Sequence, residues 1–128
     1  MFGKGDLSLN NSINIPLRGE IWIVDLDPAI GSEMKKTRPV LVMSADAVGR
    51  LAIKLVAPIT EWKQKFSGNL WHVKIDPDSQ NNLGKVSAVD VLQTRGVDNK
   101  RFVRLVGKAS AQVVEEAVTA LAAVVEYQ

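Results

Sequence analysis

The chain has no cysteine and only one histidine among its 128 residues. Without cysteine there is no disulfide framework, no thiolate metal site and no thiol nucleophile. The single histidine, His72, excludes a zinc site built from several histidines, and any Ser-His-Asp relay would have to use it.

Long apolar runs are also missing. No stretch approaches the roughly 20 residues that a bilayer-spanning helix needs, and the N-terminal residues lack the continuous apolar segment of a secretory signal. We therefore expect a cytoplasmic protein that makes no membrane contact. Residues 1–16 are rich in glycine, asparagine and serine without periodicity. They predict a flexible N-terminal tail ahead of a single domain at residues 17–128.

What remains is the composition of an ordinary globular domain. Hydrophobic residues make up 46% and charged residues 23% of a chain that is long enough for one core. Sixteen basic and fourteen acidic residues give a net charge of +2. That charge is compatible with an RNA ligand but does not require one.

The most informative stretch is a charged loop that runs directly into an apolar segment at residues 40–43. Four charges fall within six residues of this loop: Glu33, Lys35, Lys36 and Arg38. The apolar segment predicts a strand buried on both faces, with Arg38 at the junction of loop and strand. A charged loop held by a rigid strand is a usual construction for a functional site.

Alternating and apolar segments predict six strands, at residues 20–26, 38–44, 52–59, 70–75, 85–92 and 101–106. Pro58 is expected to interrupt the third strand, because proline cannot donate to a ladder, so this end should lie at a sheet margin or a bulge. In the fourth strand Trp71, Val73 and Ile75 are expected to face the core and His72 the outside. Residues 96–100 are expected to form a turn.

The periodicity becomes helical after residue 110. Apolar residues recur at helical spacing from Val113 to Val125, and Ser110 is a suitable N-cap. Several short strands followed by one amphipathic helix predict a small curled sheet or barrel with the helix packed against it.

Four ordered blocks resemble the MazF/PemK/Kid family of toxin ribonucleases over about residues 18–127. The blocks are Arg18-Gly19-Glu20-Ile21-Trp22 with Asp25-Leu26-Asp27-Pro28, Gly31-Ser32-Glu33 with Arg38-Pro39-Val40-Leu41-Val42, Val56-Ala57-Pro58-Ile59-Thr60, and Lys85-Val86-Ser87 with Gln93-x-Arg95-x-x-Asp98-x-x-Arg101. The resemblance implies a β-rich α+β fold, a small SH3-like barrel of the PemK/CcdB type with about five to seven strands and a C-terminal amphipathic helix. One position departs from the family pattern, because the acidic residue that often precedes the glutamine is Leu92 here, with Asp90 two positions earlier.

The resemblance also implies a function, that of the toxin of a type II toxin–antitoxin system. Such a toxin is a metal-independent, sequence-specific endoribonuclease that cleaves single-stranded mRNA without a cofactor. The RNA 2′-hydroxyl attacks the adjacent phosphorus and leaves a 2′,3′-cyclic phosphate and a 5′-hydroxyl. A homodimer is implied as well, together with a cognate antitoxin whose disordered acidic C-terminal segment folds over the RNA groove.

The resemblance assigns catalytic roles to Arg38, Thr60 and Glu33. Arg38 would stabilise the charge on the phosphorane, Thr60 would bind a phosphate oxygen or position the 2′-hydroxyl, and Glu33 would accept a proton. The resemblance also puts Ser87 and Gln93 near the RNA groove. Their charge makes Lys35 and Lys36 candidates for phosphate binding, and Trp62 is a candidate for base stacking in a basic segment. No metal site is expected.

Structural alternatives remain open beside these roles. The loop charges could be solvated, and Thr60, Ser87 and Gln93 could satisfy backbone groups. Trp62 and Phe66 could stack RNA bases or pack within the protein, and His72 is expected to be an exposed strand residue. At the level of function, the alternatives are a CcdB-like non-enzymatic gyrase inhibitor on the same fold and a catalytically inactive nucleic-acid-binding barrel.

Overall fold

The computed structural model describes residues 15–28, 30–33, 36–48 and 51–127, and for Val48 only the backbone. The predicted N-terminal tail therefore lies almost entirely outside the described residues, and Lys35 lies outside them as well. The division of the chain into a tail and one domain stays a prediction.

Seven strands and one α-helix form the described fold. The strands are β1 (Glu20–Asp25), β2 (Thr37–Val42), β3 (Ile53–Glu61), β4 (His72–Ile75), β5 (Ser87–Asp90), β6 (Arg95–Asp98) and β7 (Phe102–Lys108). The helix is α1 (Ala111–Val124), and short 3-10 turns lie at Asp46–Val48, Gln64–Phe66, Val91–Gln93 and Asn99–Arg101. This architecture confirms the expected β-rich α+β fold with five to seven strands and a C-terminal helix.

The strands pair antiparallel in the order β4-β5-β3-β2-β1-β7, and β6 pairs with the first half of β3. No described pairing joins β4 to β7, so strand pairing leaves the sheet open. The β4–β5 loop joins the two ends instead. The Lys108 N–H donates to the Gln80 carbonyl at 2.9 Å, and Asn82 Nδ2 donates to the Val106 carbonyl at 2.8 Å. The expected barrel is thus an open sheet whose ends are bridged by a loop.

A hydrophobic cluster lies on each face of the sheet. The first packs Val114, Ala117 and Ala120 of α1 against strand residues that include Leu41. The second contains Val40 together with residues from β1, β3 and β6. Because neighbouring residues of a strand point to opposite faces, β2 is buried on both sides, as its apolar run predicted.

Helix α1 begins at the predicted N-cap. The Ser110 side chain accepts a hydrogen bond from the Val113 N–H at 3.2 Å, which satisfies one of the donors that a helix N-terminus leaves unpaired. The buried residues Val114, Ala117 and Ala120 follow at spacings of three, so one stripe of the helix faces the sheet.

Pro58 does not interrupt β3, which continues to Glu61. The Met43 N–H donates to the Leu55 carbonyl, and hydrogen-bonded pairs between antiparallel strands alternate along the ladder. Pro58, opposite Val40, is therefore in a non-hydrogen-bonded pair with its nitrogen directed away from β2. The prediction of an interrupted strand was wrong, because proline removes no bond from the β2–β3 ladder.

The predicted turn at residues 96–100 was also wrong, since residues 95–98 form strand β6. This strand pairs with β3 as far as Val56, and the β3–β5 pairing begins only at Ile59. Pro58 lies between the two, where this edge of β3 changes partner. Only Asn99–Arg101 forms a turn, and the Asp98 side chain caps it by accepting from the Lys100 N–H at 2.8 Å.

Candidate active site

Arg38 and Thr60 line one cavity of about 370 Å³ at the end of the central strands. The β2–β3 pairing ends at Val40 and Pro58, and Arg38 and Thr60 each lie two residues beyond this pair, at the same end of the two strands and on the same face. Thr60 is paired with Ala88 on its other side. Two residues that are 22 positions apart in the sequence are thus brought together by the β2–β3 register. The other residues that line the cavity are Pro39, Ile59, Glu61, Leu83, Gly84, Lys85 and Ser87.

Ser87 and Lys85 form part of the wall of this cavity. Ser87 is buried, and its hydroxyl donates to the Lys85 carbonyl at 2.8 Å. The Lys85 ammonium lies 3.4 Å from the Glu61 carboxylate, and both side chains are more than half exposed. An ion pair in that setting is screened by water and contributes little to stability, so the ammonium can exchange this partner for an anionic ligand.

Glu33 lies in a second cavity, of about 340 Å³, together with Gln93, Arg95 and Pro58. Leu26, Leu92 and Thr94 complete its lining. Pro58 and Thr60 point to the same face of β3 and are about 7 Å apart along the strand. The two cavities therefore adjoin, and the three residues expected to be catalytic are divided between them.

The charged loop between β1 and β2 is held by hydrogen bonds at its base. The Lys36 N–H donates to Asp27 Oδ1 at 2.7 Å, and the Leu26 N–H donates to the Lys36 carbonyl at 3.0 Å. The Glu33 side chain accepts from the Ile30 N–H at 2.8 Å. Lys36 has an exposed side chain and a positive φ of 69°. The loop thus presents Glu33 and Lys36 from a fixed base.

Two arginines of the fourth sequence block anchor the start of the same loop, a role that sequence reasoning missed. Arg95 Nη1 donates to the Leu26 carbonyl at 3.2 Å, and Arg101 Nη1 donates to the carbonyls of Asp25 and Asp27. The signal in the sequence that could have indicated this role is that both arginines belong to a block that resembles the family. The contacts themselves depend on a fold that brings β6 and its following turn beside the end of β1.

An aromatic cluster follows Thr60 along the chain. The rings of Trp62 and Phe66 meet edge to face at 5.8 Å, and the Lys74 ammonium lies 5.4 Å from the centre of the Trp62 ring. Phe66 stacks on His72 with the ring centres 3.8 Å apart. Packing within the protein therefore occupies both aromatic residues, while Trp62, which immediately follows β3, stays half-buried.

His72 is not the exposed strand residue that the alternation in β4 predicted. Its side chain is only 8% exposed, because the Gln64–Phe66 turn folds back and places Phe66 over the imidazole. Val73 and Ile75 are buried on the opposite face as expected, whereas Trp71 is half-buried. Periodicity indicated the correct face for His72 but could not show which segment covers it.

Asp90 and Leu92 differ in burial. Leu92 is 59% exposed and lines the second cavity, whereas Asp90 is 7% exposed and accepts from Gln93 Nε2 at 3.3 Å. Asp90 therefore lies behind Gln93 and does not occupy the position of an acidic residue at 92.

Within the described ranges, no cluster of three or more histidine, aspartate or glutamate side chains has a geometry suited to a metal ion. Across the same part of the chain, none of the helices combines the length and apolar character that crossing a membrane demands.

Comparison with known proteins places this geometry in a family. The model of the PemK-like, MazF-like toxins of type II toxin–antitoxin systems matches residues 17–125. The endoribonuclease toxin ChpB of Escherichia coli is 38% identical over 113 residues, which cover 85% of this chain and 93% of ChpB. Endoribonuclease MazF9 of Mycobacterium tuberculosis is 32% identical over 107 residues, covering 73% of this chain and 82% of MazF9.

Solved structures show the same fold. MazF from Deinococcus radiodurans superposes with a TM-score of 0.73 at 24% identity, covering 88% of this chain and 97% of that one. A MazE–MazF structure from the same organism gives a TM-score of 0.67 at 22% identity, with coverage of 89% and 98%. From the family match, the ChpB similarity and the shared fold, the chain belongs to the PemK-like, MazF-like toxin family of type II toxin–antitoxin systems.

Proposed function

We propose that this chain is a toxin endoribonuclease that cleaves single-stranded mRNA at specific sequences. The observation that carries the proposal is the shared cavity of Arg38 and Thr60, which combines a guanidinium and a hydroxyl at the end of a rigid sheet. The relatives ChpB and MazF9 are endoribonucleases. They support this function and give no support to the CcdB-like gyrase inhibitor.

In the proposed reaction the RNA supplies both the nucleophile and the leaving group. The 2′-oxygen forms a bond to phosphorus while the bond from phosphorus to the 5′-oxygen breaks. The 2′-hydroxyl loses a proton to an acceptor, and the 5′-oxygen takes a proton from water. The products are a 2′,3′-cyclic phosphate and a 5′-hydroxyl, and the balance requires no cofactor.

Arg38 is proposed to stabilise the charge that accumulates on the phosphorane. Its guanidinium is permanently charged and can bind two phosphate oxygens at once. A guanidinium is a poor base because it stays protonated in proteins, so Arg38 is assigned the electrostatic role. Thr60 is proposed to bind a phosphate oxygen or to position the 2′-hydroxyl for in-line attack on phosphorus.

Glu33 is the proposed proton acceptor, and it acts on an RNA that spans both adjoining cavities. Lys36 and Lys35 would attract the backbone from the loop, and Lys85 from the cavity wall. Gln93 would contact a base in the second cavity, and Ser87 would shape the wall of the first. Trp62 would stack a base on the ring beside Lys74.

The same proposal extends to partners and location. A MazE–MazF complex exists for a protein of the same fold, and an acidic antitoxin segment that folds over the basic groove would block the cavities described above. We propose a homodimer with such an antitoxin. We also propose a cytoplasmic location, where mRNA is present.

The test is cleavage of a long single-stranded RNA by the purified protein in EDTA, with the ends mapped chemically. Discrete cuts with cyclic-phosphate and 5′-hydroxyl ends are expected. Arg38→Ala should lower kcat by about 100-fold to 1,000-fold, as loss of a transition-state donor does. Arg104→Ala is the matched control, because Arg104 is an exposed arginine of β7 that lines neither cavity. Absence of cutting by folded, antitoxin-free protein on several RNAs would overturn the enzyme proposal.

Further variants separate the roles of the other two groups. Thr60→Val keeps the shape of the side chain and removes the hydroxyl, so kcat should fall while RNA binding is retained. Glu33→Gln should lower kcat and leave KM nearly unchanged if the carboxylate accepts the proton. A protein that binds RNA tightly without cutting it would instead be a nucleic-acid-binding domain.

A further inference from the structure

A buried carboxylate lies behind the second cavity and takes no direct part in the chemistry proposed above. Asp90, the last residue of β5, accepts from Gln93 Nε2 at 3.3 Å through Oδ2, and the same oxygen is 3.8 Å from His72 Nε2. Its other oxygen, Oδ1, is buried and has no hydrogen-bond partner among the described residues. Burying a carboxylate costs free energy, so the presence of Asp90 at this place needs a physical explanation.

Backbone geometry brings Asp90 and Gln93 together. The β3–β5 pairing stops at the Ile59–Val89 pair, where Pro58 has no N–H to continue the ladder. The chain then turns into the 3-10 segment Val91–Gln93, with Asp90 immediately before it. Since side chains three residues apart eclipse in a 3-10 turn, residues 90 and 93 lie on the same side.

His72 is the second neighbour of the same carboxylate oxygen. Asn69 Nδ2 lies 3.2 Å from His72 Nδ1, so the amide can donate to Nδ1 and leave the proton of a neutral imidazole on Nε2, which faces Asp90. Phe66 covers the imidazole at 3.8 Å. Gln93 and His72 both lie against Oδ2 and Oδ1 is buried, so Asp90 does not reach a ligand in the cavity.

We propose that Asp90 is a positioning residue that sets the orientation of the Gln93 amide for base recognition. An ionised carboxylate only accepts hydrogen bonds, so Gln93 must turn its NH₂ group to Asp90. The carbonyl Oε1 then faces away from Asp90, as the acceptor that a base in the second cavity would meet. An amide oxygen has two lone pairs, so it can bind a base in addition to a contact within the protein.

This orientation selects among bases. Adenine N6 and cytosine N4 are amino donors, whereas guanine O6 and uracil O4 are acceptors at the corresponding positions. An acceptor on Gln93 therefore favours an amino base over a keto base at the position seated against it. A preference of about tenfold is expected, which corresponds to one hydrogen bond that the amino base makes and the keto base does not. The inference rests on the proposed function, because it specifies how the same groove reads RNA.

The experiment measures base preference in two ways. Cleavage of a set of short RNAs, varied one position at a time around the preferred cut, gives kcat/KM for each base. Binding of the same oligonucleotides with a 2′-deoxy nucleotide at the scissile position gives the preference without cleavage. If the protein binds but does not cut, the proposed function fails while the binding preference still tests the inference.

Four kinds of variant distinguish positioning from simple stabilisation. Gln93→Met keeps the length of the side chain but has no amide, and it should abolish the amino-over-keto preference. Asp90→Leu and Asp90→Ala should do the same, and both are made so that at least one folded protein lacks the carboxylate. Asp90→Asn should retain much of the preference, because its amide oxygen can still accept from Gln93. Asp98→Asn, an acidic control outside both cavities, should leave the preference unchanged.

The outcomes are decisive in combination. If Asp90 acts through Gln93, Asp90→Ala combined with Gln93→Met should have no larger effect on base preference than Gln93→Met alone. An unchanged preference in Gln93→Met, or in the folded Asp90 variants, would overturn the inference. So would additive effects in the double variant, because they would mean that the two residues act independently.

Discussion

Asn81 holds the β4–β5 loop from inside, and its replacement by alanine should destabilise the protein measurably. The side chain is 1% exposed. Its Oδ1 accepts from the N–H groups of Asp78 and Leu83, each at 3.0 Å, and its Nδ2 donates to the Asp76 carbonyl at 2.8 Å. One amide thus satisfies three backbone groups of the loop.

The size of the effect follows from these three bonds. A typical hydrogen bond contributes about 1 kcal/mol net, and a buried group left unpaired costs about 1–3 kcal/mol. Asn81→Ala should therefore lower the free energy of unfolding by about 3 kcal/mol. The loop bridges the ends of the open sheet, and its residues Leu83, Gly84 and Lys85 line the Arg38 cavity, so a loss of activity below the unfolding transition is expected as well.

Urea unfolding followed by tryptophan fluorescence provides the measurement, at one protein concentration because a dimer's stability depends on it. Asn82→Gly is the matched control. Asn82 has φ of 55° and one exposed bond to the Val106 carbonyl, so glycine relieves the backbone and loses about 1 kcal/mol or less. If Asn81→Ala unfolded within 0.5 kcal/mol of the wild type, or no more easily than Asn82→Gly, the hydrogen-bond argument would be refuted.

Three further predictions test other parts of the fold. Gly107→Ala should cost about 3 kcal/mol, since an added Cβ would lie 2.4 Å from the Gln80 carbonyl oxygen; a melting temperature equal to the wild type would contradict this close approach. Ser110→Ala should cost about 1 kcal/mol through loss of the N-cap of α1, and Ser110→Asp should restore most of it; equal stability of the two variants would exclude the cap. Phe66→Ala should speed modification of His72 by diethyl pyrocarbonate several-fold. Because His72 is the single histidine, the absorbance of carbethoxyhistidine reports on it alone, and an unchanged rate would mean that Phe66 does not shield it.

Local signals were sufficient for the elements with strong hydrophobic patterns. The run at residues 40–43 indicated a strand buried on both faces, and β2 is buried on both faces. The apolar spacing after Ser110 predicted α1 with its cap. In both cases the hydrophobic pattern shows directly which side chains are buried, so the element could be predicted without knowing which other element packs against it.

The elements that sequence reasoning missed depend on a partner. β6 contains one buried residue, Val97, and forms because the first half of β3 offers it an edge. His72 is covered because the turn that contains Phe66, six residues earlier, folds back over it. Neither the edge of a partner strand nor a covering ring produces a hydrophobic periodicity in the sequence of the strand that it affects.

The sequence by itself determined the family, the fold class and the identities of the residues proposed for catalysis. The tertiary structure decided how they are grouped. The β2–β3 pairing places Arg38 and Thr60 at one cavity, whereas Glu33 and Gln93 line a second cavity together with Pro58. The tertiary structure also places Asp90 behind Gln93 and not in the groove. The physical reason is that residue types and local periodicity are properties of the chain, whereas register, burial and hydrogen-bond partners arise only when distant segments pack together.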